Sequence, residues 1–89
     1  MSQVLIPTPL RPHADGLAKI EGQGDTVAAV LADVLTRHPA LRERLFDGED
    51  LRRFVNVYVN NEDIRFLDDL QTPVQPNDEV SIIPAIAGG

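Results

Sequence analysis

One helical stripe constrains this chain more than any other feature. Between Asp25 and Pro39, apolar residues fall at Val27, Val30, Leu31, Val34 and Leu35, the i, i+3, i+4, i+7, i+8 spacing of a helix with one buried face. Such a helix can cover one face of one sheet and no more. Asp25 is a good N-cap ahead of Thr26, Arg37 and His38 complement the dipole in the last turn, and Pro39 stops the helix. A shorter helical turn follows, with Leu41, Leu45 and Phe46 on one side and the loop Asp47-Gly48-Glu49-Asp50 after it.

Most of what surrounds the helix reads as strand. "QVLIP" places Val4 and Ile6 on one face and Leu5 on the other, and Pro7 closes it. Pro7, Pro9 and Pro12 hold an extended loop through His13 to Gly16. "LAKIE" alternates and pairs with the first strand as a hairpin, ended by Gly22 and Gly24. In "RFVNVYVNNEDIRF", Val55, Val57 and Val59 face one way and Phe54, Asn56 and Tyr58 the other. Asn60-Asn61 is hairpin-turn chemistry leading to a short returning strand around Ile64 to Phe66. After a turn at Pro76-Asn77-Asp78, "EVSII" forms the last strand, with Val80 and Ile82 opposite Ser81 and Ile83. The order β, β, α, β, short β, β around one stripe gives an α+β roll of the β-grasp kind, a mixed sheet of four to five strands wrapped around one main helix. Residues 1–83 form the domain and residues 84–89 a flexible C-terminal tail.

At 89 residues the chain makes one domain, and it has no cysteine, which excludes disulfides, thiolate zinc sites and a cysteine nucleophile. Its net charge of −6 opposes a phosphate backbone, and no apolar run approaches the ~20 residues of a membrane span. A cytoplasmic protein with neither nucleic-acid nor membrane partners is expected. His13 and His38 lack a third ligand at useful spacing, so no metal site is read. The acidic pairs Glu49-Asp50, Glu62-Asp63, Asp68-Asp69 and Asp78-Glu79 fall in turns, where solvated carboxylates are ordinary. Ser2 and Ser81 have no histidine near in sequence, and "EGQGD" lacks the lysine of a phosphate loop. No catalytic residue is assigned.

What remains is the end. An apolar run, Val80 to Ala87, leads directly into Gly88-Gly89. Glycine loses the most freedom on ordering, so a packed terminus has little use for two of them. A C-terminal carboxylate is an anion at neutral pH and can attack the α-phosphate of ATP to give an acyl adenylate, from which a sulfur or nitrogen nucleophile displaces AMP. Glycines let the backbone pass a narrow channel, and Pro84, Ala85, Ile86 and Ala87 form an extended approach that a partner's groove can grip.

The β-grasp order, "DT" opening the helix, "VNVYVNNEDIRF", and "PNDEVSIIPAIAGG" together resemble the ubiquitin-like sulfur carriers of the thiamine and molybdopterin pathways, the ThiS/MoaD family, over the whole chain. "IPTPLRPH" with "RFVNVYVNNEDIRF" and "PAIAGG" looks most like the branch that carries sulfur for cysteine biosynthesis in actinobacteria. The resemblance implies that Gly89 carries the adenylate and then a thiocarboxylate, with Gly88 as its flexible approach. The implied partners are an E1-like adenylating enzyme, a sulfur donor or sulfurtransferase, and an acceptor, either a pyridoxal-phosphate cysteine synthase or the large molybdopterin synthase subunit. A metalloprotease would release the new cysteine. ATP, pyridoxal phosphate and zinc belong to those partners, and this chain, a cosubstrate and not an enzyme, binds no cofactor of its own. The rival readings are the small subunit of a molybdopterin synthase, a ubiquitin-like modifier conjugated to lysines, and an interaction module with an inert tail. Strand parity places Leu5, Phe54, Tyr58 and Ile83 on the face away from the helix, a patch expected to dock the activating enzyme.

Overall fold

The computed structural model describes residues 1–48, 50–53 and 55–84. Phe54 and the tail residues Ala85, Ile86, Ala87, Gly88 and Gly89 therefore lie outside the described residues. Strands β1 (Ser2–Leu5) and β2 (Lys19–Gly22) pair antiparallel, with Val4 opposite Ile20. Helix α1 (Val27–Arg37) follows, then a 3₁₀ turn (Pro39–Leu41), helix α2 (Arg42–Leu45) and a two-residue hairpin of β3 (Phe46–Asp47) and β4 (Asp50–Leu51). β5 (Val55–Val59), β6 (Glu62–Asp63) and β7 (Glu79–Pro84) complete a five-stranded sheet of order β2-β1-β7-β5-β6. β7 lies in its middle, parallel to β1 and antiparallel to β5.

The stripe of α1 is buried at all five positions read from the sequence. It packs on the sheet face formed by Val4, Ile20, Val57, Val80 and Ile82, each at most 4% exposed. Two glycines set how closely α1 approaches. A Cβ on Gly22 would meet Val30 Cγ1 at 2.8 Å, and one on Gly24 would meet Ala29 Cβ at 2.6 Å and the Val30 backbone nitrogen at 2.7 Å. These residues end β2 because the chain must pass against the first turn of the helix.

Four local expectations are corrected. The N-cap is Thr26, not Asp25: hydrogen bonds from Val74 N to Asp25 O and from Val27 N to Thr72 O hold Thr26 extended opposite Pro73, so the helix starts only at Val27, and the Thr26 hydroxyl accepts from Ala29 N at 3.2 Å. The proline-rich segment is not extended but a 3₁₀ helix over Thr8–Ala14. Proline's fixed φ suits that turn, and burial of Leu10 and Ala14 holds it against the core. The strand returning from Asn60-Asn61, both at positive φ, is Glu62–Asp63. Ile64–Phe66 turns into a 3₁₀ helix because the Asp63 carboxylate caps the Arg65 N–H at 2.9 Å. Finally β7 runs through Pro84, opposite Val55, one residue into the stretch assigned to the tail.

Candidate functional site

The sheet's open face and the C-terminal end of β7 form the candidate site. Register defines the rows of that face. Lys19, Leu5, Ser81 and Tyr58 lie directly across four neighbouring strands, and Ile83 lies beside Asn56 one step nearer the end of β7. Leu5 and Tyr58 are half-buried and Ile83 is 47% exposed. Three of the four expected patch residues thus share one face, but Ser81 separates Leu5 from Tyr58 and Asn56 flanks Ile83. The surface mixes apolar anchors with small polar groups. Phe66, 85% exposed on its 3₁₀ turn, is an apolar surface residue that strand parity did not flag.

β7 is held from both sides. Its pairs with β5 run from Val59–Val80 to Val55–Pro84, and those with β1 from Gln3–Glu79 to Leu5–Ser81. Beyond Ser81 the pairing is with β5 alone, which continues to Pro84, the residue that precedes 85–89.

At the opposite end of β7 polar side chains clamp the turn. Asn60 Nδ2 donates to Asp78 Oδ1 at 2.8 Å, and Glu79 N donates to Asn60 Oδ1 at 3.0 Å. The Gln75 N–H bonded to the Asp78 carboxylate, with Asn60 second, holds Asp78 below the usual carboxylate range. On the edge of the open face Asp63 accepts from Arg65 Nη2 at 2.8 Å. That side-chain bond, reinforced by the Arg65 backbone N–H, lowers the Asp63 pKa and raises that of Arg65.

None of the polar groupings resembles a reaction centre. A cleft of about 530 Å³ beside β5 is lined by Arg52, Arg53 and Arg65 against Asp50, Asp63 and Asp69, with no serine, threonine, lysine or histidine in its lining. His38 Nδ1 faces Asp15 at 3.4 Å, and among the described residues no three His, Asp or Glu side chains converge as metal ligands. No helix of the described residues is long and apolar enough to cross a membrane.

Comparison with known proteins matches the ThiS family model to residues 4–89. The sulfur carrier protein CysO of Mycobacterium tuberculosis is 46% identical over 89 residues, covering 97% of this chain and 96% of that protein. In the crystal structure of the Amycolatopsis orientalis BexX/CysO complex, the matching chain superposes with a TM-score of 0.93 at 45% identity, each chain covered completely. The solution structure of small archaeal modifier protein 1 from Methanosarcina acetivorans gives 0.87 at 29% identity, with coverage of 99% of this chain and 95% of that one.

Proposed function

We propose, from the premise that this chain belongs to the ThiS family, that it is a sulfur carrier whose Gly89 is adenylated and then converted to a thiocarboxylate serving cysteine biosynthesis. The observation that carries the reading is the 46% identity to CysO across nearly the full length of both proteins. The pairing of β7 with β5 up to Pro84 supports it, because a strand that stays in the sheet until residue 84 lets the following residues reach a partner's active site while the domain stays outside.

The chemistry is brief. A carboxylate oxygen of Gly89 attacks the α-phosphate of ATP, and pyrophosphate leaves. Hydrosulfide then adds to the acyl carbon, AMP leaves, and the sulfur remains, after loss of its proton, as an anionic nucleophile. The chain contributes the acyl group and the docking surface; an E1-like enzyme contributes ATP and the activation chemistry. Leu5, Tyr58 and Ile83 dock that enzyme, and residues 85–88 thread toward its nucleotide. A pyridoxal-phosphate synthase acting on an activated serine is the acceptor, and a metalloprotease frees the cysteine. The carrier has no active site of its own.

A second reading, conjugation to target amines, is favoured by the likeness to the small archaeal modifier protein. Intact mass spectrometry separates the two after incubation with ATP, an activating enzyme and a sulfur donor. The carrier reading expects one oxygen replaced by sulfur at Gly89, with no change in a chain lacking that residue. Accumulation of amide-linked products alone would overturn it. The threaded tail predicts that Gly88→Val, which adds a β-branched side chain in a narrow channel, slows ATP–pyrophosphate exchange at least about tenfold, about 1.4 kcal/mol in the barrier, with the thermal midpoint unchanged.

A further inference from the structure

The eight cationic side chains are divided by the fold in a way their sequence positions do not reveal. Arg37 is bonded to Asp33 and Arg65 to Asp63, both within 3.0 Å. Arg11, Lys19, Arg42, Arg44, Arg52 and Arg53 have no carboxylate within 4.0 Å among the described residues. These six come from two segments, 8–19 and 42–53, and the topology gathers both segments at one end of the sheet. The first leaves the end of β1, which runs parallel to β7, and its Lys19 lies opposite Leu5. The second runs into Val55, the residue paired with Pro84. Both segments therefore flank the point at which the chain leaves β7.

Charge balance follows the same division. The two segments carry six cations against Asp15, Glu43, Asp47, Glu49 and Asp50, a net charge of +1, whereas the rest of the chain carries two cations, both paired, against nine carboxylates, a net charge of −7. The segments beside the end of β7 are thus the less acidic part of the chain, although Asp63 and Asp69 line the same cleft as Arg52 and Arg53. Not all six cations are equally available. Arg11 Nε donates to Ile6 O at 3.0 Å and Arg52 Nε to Glu43 O at 2.7 Å, while Arg42 stacks 5.8 Å from the centre of the Phe46 ring. Lys19 and Arg53 are exposed and make no side-chain hydrogen bond among the described residues.

We infer that this cationic rim seats against an acidic collar on the activating enzyme, around the channel that receives residues 85–89; the inference rests on the carrier reading above. Arginine and lysine without carboxylate partners among the described residues gain most from a carboxylate-bearing surface, and a molecule whose cations cluster around one end of its sheet is turned by such a surface so that this end leads. Oriented encounter raises the association rate and falls off with salt.

Two charge-matched double variants test it. Lys19→Gln with Arg53→Gln removes two cations from the rim, and Gln71→Glu with Asn77→Glu adds two anions at exposed sites elsewhere, so both change the net charge from −6 to −8. Steady-state adenylation by the activating enzyme encoded in the same genome is followed as kcat/KM against ionic strength. The rim variant should lose about tenfold at low salt, with the loss shrinking as salt rises, and the distal variant should stay within about twofold of the parent. Equal losses in both variants would show that only net charge matters and overturn the rim. An unchanged rim variant, with the parent still adenylated, would overturn it while leaving the carrier reading intact. A parent that is never adenylated would instead remove the reading on which the rim depends.

Discussion

The two faces of the sheet are built from the same strands, yet they differ in what each position tolerates. Val80 and Ser81 are neighbours on β7; the first is fully buried between β1, β5 and α1, and the second is half-buried between Leu5 and Tyr58. Along β5, Val55, Val57 and Val59 are buried while Asn56 and Tyr58 are half-buried. The inner face is determined by volume, because close-packed interiors accept neither voids nor polar atoms without partners. The outer face carries little of the folding load, so its residues are available to a partner. A face with Leu5, Tyr58 and Ile83 set among Ser81, Asn56 and Lys19 presents apolar anchors interrupted by polar groups.

Four substitutions, ordered by expected loss of stability, break or sharpen that contrast. Val80→Asp places an unpaired charge at the centre of the inner face and should cost about 4 kcal/mol or more, enough to unfold much of the chain in a urea titration. Asp63→Asn acts on the one ion pair at the margin of the outer face. Because the folded pKa of Asp63 is lowered, its contribution is complete above the unfolded value near 4 and is lost as pH falls through the folded one. The parent's thermal midpoint should therefore drop on acidification below about pH 4, and the variant's should drop less steeply, Asp78 supplying the remainder in the same direction. Ile83→Asp and Tyr58→Ala come last on this scale, with midpoints within about 4 °C of the parent. Each should nevertheless reduce adenylation about tenfold, as expected of interface anchors. A large destabilisation by Ile83→Asp would show that the outer face is part of the core.

The division into faces was readable from the chain alone, because period-two alternation in Val55–Val59 and the helical stripe of residues 27–35 are local signals. So was the asparagine hairpin, since only a few residues accept positive φ at two successive positions. Features that depend on a distant partner were not. Asp25 looks as good a cap as Thr26 until the bonds to Val74 and Thr72 hold Thr26 extended. Pro7, Pro9 and Pro12 fit an extended loop or a 3₁₀ helix equally, and burial of Leu10 and Ala14 decides between them. Ile64–Phe66 has strand composition, but the Asp63 cap turns it. Of the site, Gly89 could be named from chemistry. The cationic rim required the topology, which brings together segments some thirty residues apart.

The central place of β7 also bears on how a ribosome makes this protein. Until residue 84 has emerged, the sheet is two unjoined pieces, β1–β2 and β5–β6, and α1 has half a surface to cover. Contacts between β1 and β7 close a loop of more than seventy residues, so folding is dominated by one long-range event that comes late in synthesis. Nascent chains stalled before residue 79 should therefore be open to proteolysis.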